Sequence, residues 1–308
     1  MESGSSFRCP VCGCDSCIIF GPTQGGDYRR CVDCRLEVRV LGESASTKET
    51  FEAVESDYYE ANSVLEAPIV RRRNRQLAVR RVEVLGRHLP AGRILEVGPG
   101  TGEFVAQARS MGYEVEAVEY AARLAKLLHG ELGITVHCGM FEEMDFSAQP
   151  YDAVASMHVI EHVPDPIDHL RVARTAVRAG AYLILATPNA GGWGKRLAGN
   201  RWCGYSEAHL HLFSRRSLSI CLERAGWKLV GTYAHPDTYG WLHVLAGIAR
   251  KPRKVRSALQ AGTVSRKIPY HLMLIMLGLM APVSWPIRFV QAATGGGNEL
   301  LIVSRAKS

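Results

Sequence analysis

Between residues 238 and 298 the chain has no aspartate or glutamate, although the same segment holds Arg250, Lys251, Arg253, Lys254, Arg256, Arg266, Lys267 and Arg288. The formal net charge is +7, so removing these eight cations leaves −1, and the basic character is local. Long apolar runs are lacking too. The run at residues 272–283 covers twelve residues with a proline inside it, where a bilayer span needs roughly 20. A basic stretch beside such a run can lie on an anionic membrane surface or form a lid against the core. Nucleic acid is disfavoured as a partner, because the leucine and methionine run would then have no purpose. The first twenty residues lack an apolar stretch behind a basic start. A cytoplasmic address is therefore expected, peripheral on the inner membrane face if residues 250–290 bind lipid. The dinucleotide fingerprint Gly-x-Gly-x-x-Gly is also missing, since after Gly98 and Gly100 its sixth position is Glu103.

What is present centres on Arg93-Ile-Leu-Glu-Val-Gly-Pro-Gly-Thr-Gly102, a short apolar strand running into three alternate glycines. Glycine lets the backbone turn sharply and approach a bound group, while the following helix offers unpaired N–H donors. Tyr113-Glu-Val-Glu-Ala-Val-Glu-Tyr120 alternates like a second strand and ends at Glu119, placed to accept both hydroxyls of a ribose. Further strands are expected at residues 134–137, 151–157, 181–189, 227–233 and 299–304, with helices between most of them. That alternation predicts a parallel α/β sheet.

The order Glu96-x-Gly98-x-Gly100-x-Gly102 resembles motif I of the class I S-adenosylmethionine (SAM) methyltransferases. With Glu161-His-Val-Pro-Asp-Pro166 and Thr187-Pro-Asn189, residues 55–233 resemble the group containing ubiquinone-pathway O-methyltransferases and sugar methyltransferases. The resemblance implies a seven-stranded, mostly parallel Rossmann-like sheet. It places Glu96 near the methionine ammonium, Gly98, Gly100 and Gly102 under the cofactor, Glu119 at the ribose, and Tyr120 among the cofactor-binding residues. It also places Met140, Phe141 and Glu142 beside the adenine and Met157 at the cofactor. Tyr58-Tyr59 is similar to an aromatic pair that covers the cofactor in related enzymes.

Of the nine cysteines, six lie in the first 34 residues. Cys9-x-x-Cys12 and Cys31-x-x-Cys34 form two knuckles separated by 18 residues, the spacing of a zinc ribbon with four thiolates around one structural ion. Cys14 and Cys17 offer an alternative knuckle. Arginines 29, 30, 35 and 39 lie nearby without an aromatic stacking platform, so nucleic-acid binding is the lesser reading of the ribbon.

Chemistry is expected just past the fourth strand, at Met157-His-Val-Ile-Glu-His162. In a helical turn His158, Glu161 and His162 would share one face. The ubiquinone-pathway enzymes have an acid where this chain has His158, so a divalent cation held by His158, Glu161 and His162 would be softer than magnesium. The alternative is that His162 donates to a backbone carbonyl and Glu161 caps a turn. His209, in a segment that the resemblance directs to the acceptor, is a candidate general base. The run Arg71-Arg-Arg-Asn-Arg75 with Arg80 and Arg81 either grips an anion or forms a solvated helix face.

The expected organisation is a zinc ribbon at residues 1–42, a linker and helical lead-in at 43–90, and a SAM-binding core at 91–234. A basic, apolar insertion of helical character follows at 235–298, and the last core strand with the tail at 299–308. The expected activity is methyl transfer to a small or lipid-linked acceptor, a sugar, glycolipid or quinone-like ring, with O-methylation favoured. The alternatives are a sugar C-methyltransferase, or a non-catalytic binding module built on the same fold.

Overall fold

A computed structural model describes residues 7–23, 25–41, 68–148, 150–234, 279, 286, 289–291 and 294–308. Strands β1 (Cys17–Thr23), β2 (Gly26–Cys31) and β3 (Glu37–Arg39) come first, followed by helix α1 (Pro68–Gly86). Strand and helix then alternate through β4 (Arg93–Val97), α2 (Glu103–Ser110), β5 (Glu114–Glu119), α3 (Ala122–Leu132), β6 (Val136–Cys138), β7 (Tyr151–Met157), α4 (Pro166–Thr175) and β8 (Val177–Pro188). The remainder comprises α5 (Trp193–Ala198), β9 (His211–Leu212), α6 (Arg215–Arg224), β10 (Trp227–Tyr233) and β11 (Glu299–Ala306).

Seven strands form one sheet in the order β10-β11-β8-β7-β4-β5-β6. Pairing is parallel from β8 through β6, whereas β11 runs antiparallel to both β8 and β10. The chain winds outward from β4 to β6 and then returns to the other side of β4 with β7. The order therefore reverses between β4 and β7, and a crevice opens outside their carboxyl ends.

Both faces of the sheet are covered, which is why its central strands read as nearly continuous apolar runs. Ile94, Ala153, Ile184 and Val303 pack on one face with Val82 and Leu85 of α1 and Phe104 and Val105 of α2. Their neighbours Leu95, Val154, Leu183 and Ile302 pack on the other with Leu170 of α4, Leu218 and Leu222 of α6, and Cys9, Cys31 and Cys34. Local chemistry sets the helix starts. Asp165 caps α4 by accepting from the amides of Ile167 (2.9 Å) and Asp168 (3.0 Å), with Pro166 at the first helical position. Ser214 and Ser217 form a reciprocal cap on α6. The buried Trp227 ties β10 to α4 by donating Nε1–H to the Leu170 carbonyl at 2.8 Å.

A second sheet has the order β1-β2-β3-β9, so the N-terminal hairpins are completed by a strand of the core. Several sequence expectations shift at their edges: the third core strand occupies Val136–Cys138, and the last continues to Ala306. The lead-in is a helix over Pro68–Gly86. Tyr58-Tyr59, the linker at residues 43–48 and nearly all of the insertion at 235–298 lie outside the described residues. Among the described residues no helix is long and apolar enough to cross a membrane.

Leu95 is fully buried in the central strand, so Leu95→Ala is expected to lower unfolding free energy by about 2–5 kcal/mol. Asp165→Ala should cost about 1 kcal/mol through loss of the cap. Urea denaturation of the two variants checks this ranking, and the reverse order would contradict it.

Candidate active site

The crevice at the switch point is a cavity of about 560 Å³. Gly98 and Gly100 line it, Gly102 does not, and the three bend the chain with φ of +65°, +55° and +79°, in the left-handed region that L side chains avoid. A Cβ on Gly98 would fall 2.7 Å from Val159 Cγ2, and one on Gly102 would fall 2.7 Å from Leu132 Cδ1. At Gly100 a Cβ would meet nothing within 4 Å. The outer glycines thus permit close packing and the middle one opens toward the cavity. Glu96 lines the same cavity, is 1% exposed, and has an Oε2 atom without a partner. Burial pushes its carboxyl well above the usual range, with Arg81 opposing the shift. A buried carboxyl oxygen left unsatisfied at a cavity wall suits a cationic ligand group such as an ammonium, whose charge would favour the ionised form that burial opposes.

Glu119 ends β5 almost fully buried and accepts the Ala121 amide at 2.9 Å. Tyr120, Met140, Phe141, Glu142 and Met157 line the cavity with it. Glu142 is tied to His169 Nδ1 at 2.5 Å. Burial alone would raise that carboxyl, but the His169 hydrogen bond holds it below its ordinary value. Apart from Gly102, the residues expected from motif I and the next two strands are therefore gathered around one space. An unpartnered acid, an open glycine backbone and a second acid after β5 fit the ammonium, the chain and the ribose of SAM.

Residues 158–163 form a turn rather than a helix, and His158 is left-handed with φ +61°. This corrects the expected cation set of His158, Glu161 and His162. Without the helical face, His158 turns toward β11, placing Nδ1 3.0 Å from Glu161 Oε1 and Nε2 2.7 Å from Glu299 Oε2. Burial opposes its charge, but the two carboxylates dominate and raise its pKa to about 9. Both nitrogens are then donors, and neither is open to a metal. Glu161 is fully buried and accepts from Thr187 Oγ1 at 3.0 Å. Although burial opposes ionisation, His158 helps to drive Glu161 down to about 2.

The partner that the fold supplies instead is His209. Its Nδ1–H donates to the Gly204 carbonyl at 2.7 Å, and the Nδ1–H of His162 donates to the Ala208 carbonyl at 3.0 Å. Each ring therefore keeps its Nε2 lone pair. The rings lie 4.9 Å apart at 74°, and one ligand atom from each of Glu161, His162 and His209 falls within 4.8 Å of the others. Burial, aided by His162, lowers His209 to about 4. His209 is consequently neutral at pH 7 but a weak base. Hydrogen bonding of this kind from Nδ1 to a carbonyl commonly orients a metal-ligating histidine.

The arginine run divides between its two readings. Arg71, Arg72, Arg75 and Arg80 are exposed, whereas Arg73 and Arg81 line the cavity and Arg81 pairs with Glu299 at 2.5 Å. Glu299, Ser206 and Ala208 carry no local sequence signal, and the signal for Thr187 is its place in Thr187-Pro-Asn189.

Apart from the cavity, Cys9 Sγ lies 3.5 Å from Cys34 Sγ and Cys12 Sγ 3.4 Å from Cys31 Sγ. The four sulfurs form one group within 4.8 Å, a donor set that could hold zinc. Cys14 bonds instead to Ser16, and Cys17 opens β1.

The fold and cavity are those of a SAM-dependent methyltransferase. Residues 69–232, just over half of the chain, match the family described as "Methyltransferase domain", and the chain belongs to that family. A ubiquinone biosynthesis O-methyltransferase of Xanthomonas campestris pv. campestris (strain B100) is 36% identical over 107 residues, 33% of this chain and 45% of that protein. The enzyme of the same name from Xanthomonas axonopodis pv. citri (strain 306) is 36% identical over 118 residues, 36% of this chain and 49% of that one. The chain thus spans less than half the length of these curated relatives. Burkholderia thailandensis 1,6-didemethyltoxoflavin-N1-methyltransferase, solved with 1,6-didemethyltoxoflavin and S-adenosylhomocysteine, shares the fold with a TM-score of 0.52 at 15% identity, over 91% of this chain and 99% of that one.

Gly98→Ala meets both a strained φ and the Val159 methyl, whereas Gly100→Ala meets strain alone. Strain alone should cost about 1–2 kcal/mol, and Gly98→Ala should destabilise the ligand-free protein by more. Chemical denaturation of both variants decides, and equal losses would contradict the packing role given to Gly98.

Proposed function

We propose that the chain transfers the SAM methyl group to a hydroxyl oxygen of a small acceptor, a sugar or quinone-like ring that is free or lipid-linked. The observation that carries this reading is the grouping of Glu161, His162 and His209 in the wall of the same cavity as Glu96 and Glu119. The O-methyltransferase relatives support oxygen as the atom methylated.

Glu96 receives the methionine ammonium, the backbone around Gly100 lies along the cofactor, Glu119 accepts the ribose hydroxyls, and Met140 and Phe141 flank the adenine. When bound, SAM supplies a methyl group on an already electrophilic sulfonium. The protein's part is to align the acceptor oxygen and take up its proton. Glu161, His162 and His209 would hold a divalent cation, which would lower the pKa of a coordinated hydroxyl. The two imidazoles favour a softer ion than magnesium. Where a cation occupies the Nε2 lone pair of His209, the acidified hydroxyl loses its proton to solvent; without the cation, that same Nε2 is the proton acceptor. His158 and Thr187 hold the Glu161 carboxylate in place. Cys9, Cys12, Cys31 and Cys34 hold a structural zinc within a ribbon at residues 1–42. The cations of residues 250–290 give the chain a surface for anionic lipid.

Reaction with methyl-¹³C SAM, a panel of catechols, hexoses and their polyprenyl-linked forms, and added Mn²⁺ or Zn²⁺ tests the reading. A methoxy carbon resonance is expected, with turnover reduced about 10²-fold or more in Glu161→Gln and His209→Gln. A C-methyl resonance, or turnover indifferent to both substitutions, would contradict it.

A further inference from the structure

The N-terminal hairpins do more than cover the core. Tyr28 of β2 is fully buried, and its hydroxyl lies 3.1 Å from the Ser206 carbonyl and 3.0 Å from the His209 carbonyl. Burial keeps that phenol protonated, so it donates to this pair. Arg39 of β3 adds two contacts, its amide donating to the Leu210 carbonyl at 2.9 Å and its guanidinium donating to the Glu207 carbonyl. At the tip of the β1–β2 hairpin, a Cβ on Gly25 would fall 2.7 Å from backbone atoms of Tyr205 and Ser206. Glu37 and Val38 then pair with Leu212 and His211. The loop at residues 205–210 is thus gripped along its length by the cysteine-bearing module.

The opposite side of that loop builds the cavity. Ser206, Ala208 and His209 line it, the Ala208 carbonyl orients His162, and the amides of Leu210 (2.8 Å) and His211 (3.1 Å) donate to the Glu161 carbonyl. The grip is itself anchored beside the cysteines. Ser214 Oγ donates to the Cys34 carbonyl at 3.3 Å, and Arg224 Nη1 donates to the Val11 carbonyl at 2.6 Å, fixing both knuckles to the two ends of α6. Glu96, Glu119 and Phe141 belong instead to β4, β5 and the turn after β6, away from these contacts.

We propose that the cysteine ribbon buttresses a wall of the active site and that Tyr28 is a positioning residue, fixing the 205–210 loop so that His209 stands beside His162 and Glu161. The inference rests on the acceptor end assigned above. It separates the cavity into two parts: an acceptor end set by the ribbon, and an adenosyl end set by the sheet. Replacing Tyr28 should therefore disturb the first and spare the second.

Ring-¹⁵N histidine NMR on the full chain loaded with one equivalent of zinc tests this, with His162 and His209 assigned from His162→Gln and His209→Gln. Tyr28→Phe, which keeps the ring, should shift the His209 and His162 resonances and leave His169 unchanged. S-adenosylhomocysteine affinity should stay within about twofold of wild type, as expected for sites that share no partner. Arg39→Gln releases the Glu207 carbonyl and should shift the same two resonances, which covers a failure of Tyr28→Phe to fold. The proposal is overturned if folded variants leave His162 and His209 at their wild-type positions. It is equally overturned if His169 and ligand affinity change as much as they do, since the ribbon would then only stabilise the whole chain. Failure of the wild-type protein to bind S-adenosylhomocysteine would strike the cofactor reading alone, because the imidazole shifts are read without ligand.

Discussion

The buried carboxylate of Glu161 is the constraint on which the end of the cavity near His162 and His209 depends. An ionised carboxylate with no exposure survives only if donors surround it, and removing one partner of such a buried pair typically costs about 3–5 kcal/mol. Here His158 and Thr187 supply the donors from the β7 turn and from β8. His158 is fixed in turn by Glu299 on β11, and Glu299 by Arg81 on α1. The main-chain carbonyl of Glu161 receives the loop that leads into β9 and so to the ribbon. One residue thereby links the first helix, the last strand, the central crossover and the N-terminal module.

This explains which parts of the site were legible in the sequence. The glycine turn, Glu96 and Glu119 were readable because each lies at a fixed distance from its own strand, and local spacing is enough to place it. The four cysteines were readable because a metal knuckle is also local, and the choice of Cys9, Cys12, Cys31 and Cys34 over Cys14 and Cys17 agrees with how the sulfurs group. The exchange of His158 for His209 was not readable. It depends on a left-handed residue ending the helical face, and on a glutamate 141 residues further along drawing the imidazole away. The pairing of β3 with β9 was equally hidden, since a two-residue strand has no periodicity.

The division of the arginine run illustrates the same limit. Composition placed these residues on a helix, but only the packing of α1 over the cavity separates Arg73 and Arg81 from the exposed Arg71, Arg72, Arg75 and Arg80. The sheet and its glycine turn form one end of the cavity, while the end proposed for the acceptor is assembled from a long-range turn, a last strand and an accessory module. Acceptor choice can then diverge while the cofactor site stays the same.

Calorimetric titration of S-adenosylhomocysteine and, separately, NADH into the wild-type chain and Glu119→Ala tests the cofactor site most directly. The wild type should bind the first ligand and not the second. Loss of the ribose hydrogen bonds to a charged group, worth about 1.5–3 kcal/mol, should weaken binding roughly 10–100-fold in the variant. Binding of NADH, or affinity for S-adenosylhomocysteine unchanged in Glu119→Ala, would contradict the assignment of this cavity.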